Sequence, residues 1–129
     1  MLYFGLIPPE IARNYVPTKK TYTVASNVQR MKAVAGAVKT VYKEALNGNY
    51  WSALTLNGLI YSAALGYDPS PAVDALAAGA VASGLSGTGP AVSAVVSEEK
   101  VELVKGAWQK REGEILETHI NLQKARVVT

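Results

Sequence analysis

Cysteine is absent from this 129-residue chain, and histidine and phenylalanine occur once each. Each scarcity removes a class of chemistry. Without cysteine there is no disulfide framework, no thiolate nucleophile and no thiolate metal site, and a reducing interior is compatible with the composition. A lone His119, with no second imidazole, is a poor basis for zinc; on a predicted strand it reads as a surface or structural residue. No apolar run approaches the ~20 residues of a spanning helix, so no membrane is expected as a partner. The start, Met1-Leu2-Tyr3-Phe4-Gly5, meets Pro8-Pro9 with neither a basic region nor a small-residue cleavage site, so no secretory leader is expected and the cytoplasm is the expected location. Thirteen Lys and Arg against ten Asp and Glu leave a net charge of +3. The cations are scattered rather than gathered into a basic stripe with aromatics, so nucleic acid is not an expected partner either.

The chain is nonetheless 49% hydrophobic, with two Trp and seven Tyr. That suits one domain, residues 1–129, with its own core. Its unusual backbone demands concentrate in Gly84-Leu85-Ser86-Gly87-Thr88-Gly89-Pro90. Glycines at alternate positions open conformations closed to residues with a Cβ, so successive N–H groups can turn inward as an anion-binding nest. Ser86 and Thr88 add hydroxyls, and Pro90 stiffens the exit. The plainer reading is a strained turn between a helix and a buried strand, with glycine needed for geometry alone.

Around this loop the periodicities predict a buried strand at 2–7 and a long loop at 8–26 carrying Lys19 and Lys20, with an extended piece at 21–24. A helix is predicted from an N-cap at Ser26 or Asn27 to about Leu46, with Val28, Met31, Val38 and Val41 on its apolar face. A second, apolar and central helix spans 50–65 and closes on Gly66. Within it Asn57 is an amide among leucines; unless it finds partners, burying it costs about 1–3 kcal/mol. A third helix, 71–82, delivers the chain into the glycine loop. After the loop come a central strand at 91–96 and a helix capped by Ser97 with Glu98 and Glu99, whose face carries Val101, Val104 and Trp108. A strand at 114–120 follows, with Leu116, Thr118 and Ile120 to one side, and then a last extended piece at 122–128 along a sheet edge. Helices in runs against a few strands imply an α+β fold, an antiparallel sheet with helices on one face. No Gly-x-Ser-x-Gly elbow and no Walker A sequence is present.

The order helix, Gly84-Leu85-Ser86-Gly87-Thr88-Gly89-Pro90, strand resembles the third motif of the GHMP kinases, the family of galactokinase, homoserine kinase and mevalonate kinase. Together with Leu54-Thr55-Leu56-Asn57-Gly58-Leu59-Ile60-Tyr61 and Leu65-Gly66, it is most similar to the archaeal shikimate kinases of that family. The resemblance covers nearly the whole chain and implies a ferredoxin-like C-terminal domain. It implies phosphate or nucleotide contacts at Gly84, Ser86, Gly87, Thr88 and Gly89, and a substrate-side role for Asn57. It further implies ATP with Mg2+, bound mainly by an N-terminal domain that also holds the catalytic acid or lysine, so no catalytic residue and no metal ligand is expected in these residues. On this likeness the expected reaction is phosphorylation of the shikimate 3-hydroxyl in aromatic amino acid biosynthesis. The expected partner is an N-terminal half or a second copy, and the chain alone is expected to be inactive. Homoserine or mevalonate-pathway kinase halves and a non-catalytic small-ligand binding domain are the alternatives.

Overall fold

A computed structural model describes residues 2–7 and 28–128. The expected loop with Lys19 and Lys20, the extended piece at 21–24 and the cap at Ser26 or Asn27 lie outside the described residues. In order, the elements are strand β1 (Leu2–Ile7), helices α1 (Val28–Ala33), α2 (Ala35–Leu46), α3 (Tyr50–Leu65) and α4 (Ser70–Ala77), then β2 (Ala82–Leu85) and β3 (Val92–Val96). A 3-10 turn, Glu98–Lys100, leads into α5 (Val101–Gln109), and β4 (Glu114–His119) follows. The strands form one sheet in the order β2-β3-β1-β4. Every pairing is antiparallel, with Leu2 opposite both Val96 and His119 and Gly84 opposite Ser93. This is the ferredoxin-like β-α-β-β-α-β order with a run of helices in the first crossover, and the α+β reading is met.

The main core lies on one face of the sheet. Alternation along β3 projects Val92, Ala94 and Val96 to the same side, where they meet Ala72 and Ala75 of α4 and Val101, Val104 and Trp108 of α5. The small residues of α4 let it sit close to the sheet, and the wholly buried Trp108 fills the remaining space. A buried indole needs a partner for its N–H, and here it donates to the Pro71 carbonyl oxygen at 2.8 Å. Arg111, just past α5, pairs with Asp74 of α4 and lies 3.9 Å from Asp68. Lys105 of α5 reaches Glu117 of β4 at 2.9 Å; the hydrogen bond and charge of Glu117 raise the lysine pKa.

Glycine sets three of the helix ends. Gly48, Gly66 and Gly79 all have positive φ. After α2 and α4, backbone N–H groups reach back five residues, Asn49 to Glu44 and Ala80 to Ala75, the signature of a Schellman closure. The Tyr67 N–H does the same to Ser62 after α3.

The structure departs from the sequence reading in four places. The third helix stops at Ala77 rather than reaching residue 82, because Gly79 turns the chain, and Ala82–Leu85 is a strand. The first long helix is interrupted at Val34, whose N–H reaches only the Met31 carbonyl oxygen, 3.3 Å away, in a 3-10 bond. On β4 it is Ile115 that packs towards the core, while Leu116 is 48% exposed. Residues 121–128 form no strand and are exposed.

Candidate functional site

The site is built on a seam between α3 and β2. Glycine at both positions brings the two backbones together: a Cβ on Gly58 would lie 2.4 Å from the Gly84 Cα, and one on Gly84 would lie 2.9 Å from the Gly58 Cα and from the Leu54 carbonyl oxygen. Beside this contact the Ser83 N–H, on the outer edge of β2, donates to the Thr55 hydroxyl at 3.2 Å. The open edge of the sheet is thereby satisfied by α3 instead of being left to pair with another strand. Gly58 and Ser62, one helical turn apart, are both buried in α3. The adjacent stripe of the helix carries Asn57, Tyr61 and Leu65, four residues apart and therefore on one face.

Beyond the seam β2 runs on into the glycine loop, which consequently lands against that stripe. The Ser86 N–H donates to the Ala91 carbonyl oxygen at 2.8 Å, and the Gly89 N–H donates to the Ser86 carbonyl oxygen at 3.0 Å. Between them Gly87 takes φ +59° and Thr88 a negative φ, the signs of a type II′ turn with its required glycine first. Gly89 has φ +67° and no room for a side chain, since a Cβ there would meet the Leu85 Cδ1 at 2.5 Å and the Tyr67 Cε2 at 3.0 Å. The Gly89-Pro90 peptide is cis. Gly87 and Thr88 face the helix, and with Met31, Asn57, Tyr61 and Leu65 they line a pocket of about 220 Å3.

Three of the six residues expected at a ligand, Asn57, Gly87 and Thr88, are thus brought to one cavity. Ser86 is exposed and its backbone closes the turn. Gly89 shapes the loop from behind. Gly84 lies within β2, not in the loop, and the demand on it is the approach to Gly58; the expectation that the loop begins at Gly84 is corrected by the strand that precedes it. Met31, read from the sequence as part of an apolar helix face, and Tyr61 and Leu65, which carry the family resemblance, are not expected at a ligand, although the four-residue spacing from Asn57 to Tyr61 and Leu65 is visible in the sequence.

The polar groups of the pocket are poised rather than satisfied. Among the described residues, neither the Asn57 amide, the Tyr61 hydroxyl nor the Thr88 hydroxyl makes a hydrogen bond, and the N–H groups of Gly87 and Thr88 donate to no backbone carbonyl. Gly87 and Thr88 are exposed and Asn57 and Tyr61 half-buried, so these groups are open to solvent and each can exchange water for a ligand atom. No charged side chain is among the described residues that line the cavity. Its donors suit a phosphoryl oxygen or a neutral hydroxyl. They do not suit Mg2+, which calls for carboxylates, and no group of three His, Cys, Asp or Glu gathers among the described residues. Arg30 instead donates to the Ala63 carbonyl oxygen at 2.7 Å near the end of α3, where a cation complements the helix dipole. Asp68 and Lys105, the two groups with displaced pKa values among the described residues, are not among those lining the pocket. No helix of the described residues is long and apolar enough to cross a membrane.

Comparison with known proteins converges on the same region. Residues 44–114, from the end of α2 to the start of β4, match the family described as GHMP kinases C terminal. The chain is 46% identical to a shikimate kinase of Methanothermobacter thermautotrophicus over 88% of its own length and 39% of that protein's. It is 43% identical to one from Methanobrevibacter smithii, over 83% of the chain and 37% of the relative. A shikimate kinase of Halobacterium salinarum is 38% identical, over 87% and 39%. The chain therefore spans about two fifths of the length of these curated relatives.

Proposed function

The chain belongs to the GHMP kinase family, and from that premise we propose that it forms the C-terminal portion of a shikimate kinase, acting in the cytoplasm on shikimate with ATP as phosphoryl donor. The observation that carries this reading is the meeting of Gly87 and Thr88 with Asn57 in one pocket whose described lining residues are uncharged. In the proposed reaction the acceptor hydroxyl oxygen bonds to the γ-phosphorus, the bond to the β,γ-bridging oxygen breaks, and ADP leaves. Catalysis of such a transfer is largely positioning and charge stabilisation. The Gly87 and Thr88 N–H groups and the Thr88 hydroxyl would hold a phosphoryl oxygen, and Asn57 would orient the acceptor beside it. The described lining residues include no carboxylate or imidazole to take the hydroxyl proton or to hold Mg2+; both tasks would fall to an N-terminal domain of the family's usual kind, working with this one.

The test is phosphoryl transfer from ATP to shikimate, measured with this chain alone and with the chain joined to or mixed with an N-terminal GHMP half from the same genome. Activity only in the combination is expected. Transfer to homoserine or mevalonate in place of shikimate would move the assignment within the family. An inactive combination that still binds shikimate would favour a binding domain, which the uncharged lining also accommodates.

A further inference from the structure

Among the described residues that line the pocket, Tyr61 is the polar side chain to which the proposed reaction gives no task. It stands one helical turn from Asn57 on the same face of α3, which places the two Cβ atoms roughly 5–6 Å apart. Its hydroxyl has no partner among the described residues, as the Asn57 amide has none. Each of these groups both donates and accepts. Gly87 and Thr88 of the loop line the same cavity; the other described lining residues, Met31 and Leu65, are apolar.

Such a cavity is matched by a particular kind of molecule. An apolar wall packs against the carbon face of a ring, while a rung of amide and phenol hydrogen-bonds to hydroxyls on that ring's edge. The described lining residues, Met31, Asn57, Tyr61, Leu65, Gly87 and Thr88, carry no charge and suit hydroxyls better than a carboxylate, so an acidic acceptor would present its hydroxyl edge to them. We infer that Tyr61 is a specificity-determining residue, pairing with Asn57 to read a second ring hydroxyl next to the one that faces Gly87 and Thr88. The ligand class is a polyhydroxylated alicyclic or sugar-like acceptor rather than a linear alcohol. This rests on the reading of the pocket as the acceptor side of a kinase, and it goes further by assigning a residue and the chemical feature it recognises.

A site that hydrogen-bonds a hydroxyl discriminates strongly against analogues that lack it, because its own polar groups are then left unpaired. The experiment compares the wild-type enzyme, this chain with its N-terminal half, with Tyr61→Phe, using shikimate and ring-deoxygenated shikimates. KM is measured for each acceptor and for ATP; binding of shikimate without nucleotide is followed by calorimetry. Tyr61→Phe is expected to raise the KM for shikimate, and to weaken its binding, by roughly three- to ten-fold, the loss of one hydrogen bond. The KM for ATP and the thermal midpoint should stay put, and one deoxy analogue should show no further loss in the variant. An unchanged shikimate KM and affinity in a folded variant would overturn the inference. So would an equal loss on every analogue, since the phenol would then read no particular hydroxyl. If the wild-type assembly transfers no phosphate yet binds shikimate in a Tyr61-dependent way, the kinase reading fails and the assignment of Tyr61 stands.

Discussion

The two sides of β2 and β3 are built in opposite ways. On the α4–α5 side, side chains do the packing: Trp108 and Val104 are wholly buried, the indole N–H is satisfied, and Arg111 ties the two helices together. On the α3 side the contact is made by the absence of side chains, Gly58 against Gly84, and the side-chain polar groups just beyond it, of Asn57, Tyr61 and Thr88, make no hydrogen bond among the described residues. The first region holds the fold. The second uses backbone contact to place a loop and a helix stripe against each other, and leaves their hydrogen-bonding capacity for something else. Stability and binding are therefore expected to separate by position.

The sharpest division should come from Trp108→Ala. Truncating a wholly buried tryptophan costs about 3–5 kcal/mol, read as a fall in the urea midpoint; ligand affinity of the molecules that remain folded should not change. Next comes Gly58→Ala, where the added methyl meets backbone rather than a movable side chain. Overpacking of this sort costs about 1–3 kcal/mol, and here the strand shift should also weaken shikimate binding. Gly36→Ala supplies the contrast. Its Cβ enters open space in α2, so it should stabilise by up to about 1 kcal/mol without touching the site. If Gly58→Ala behaved like Gly36→Ala in both assays, the seam would not be the positioning device described.

Asn57→Ala should reverse the pattern, with a stability change within about 0.5 kcal/mol but a loss of acceptor affinity of roughly three- to ten-fold, as for one hydrogen bond. Were its stability loss to match that of Trp108→Ala, the amide would belong to the core and the contrast between the two regions would collapse. The smallest effect is at Asp68. Its carboxylate accepts the Ser70 hydroxyl and, at 2.9 Å, the Ser70 N–H. These bonds, with a smaller contribution from Arg111, hold its pKa below the ordinary value. Because the folded pKa lies below an unfolded value of about 3.9, the stabilisation is present above that value and fades as the pH falls through the folded pKa. Asp68→Asn should therefore be slightly less stable than wild type at pH 7 and level with it in strong acid, in parallel urea titrations. A constant gap across the whole range would exclude the charge as its source.

How much of this was legible in the sequence depended on whether local rules or distant partners decided the outcome. The second helix could be placed from Tyr50 to Leu65 because its apolar run and the left-handed Gly66 are local signals. The turn glycines Gly87 and Gly89 and the misplaced polarity of Asn57 were local too, and they led to the pocket. Strand β2 was not legible. Ala-Ser-Gly-Leu has neither bulk nor alternation; it is a strand because it pairs with β3, while Thr55 and Gly58 of a helix distant in sequence meet it from the other side. The inward face of β4 was misjudged for a similar reason. Leu116 and Ile115 are equivalent in hydrophobicity, and the choice falls to Ile115, which packs against the core beneath α5 while Lys105 captures Glu117 two positions on. The segment 121–128 carries apolar residues in a strand-like spacing, yet it forms no ladder and lies exposed.

A joint made of two glycines has a mechanical character of its own. Packed side chains can yield by changing rotamer, and they can absorb a displacement before passing it on. Two backbones in direct contact have no such slack, so a push on α3 reaches β2 and the root of the loop nearly undiminished. The residues proposed to hold a ligand, Asn57 and Tyr61 on the helix and Gly87 and Thr88 on the loop, are thus mounted on two elements in direct backbone contact. Any closing movement over the bound molecule must then arise in the tight turn at Gly87 and Thr88 or in the swing of the domain as one piece, and not in a parting of helix from strand.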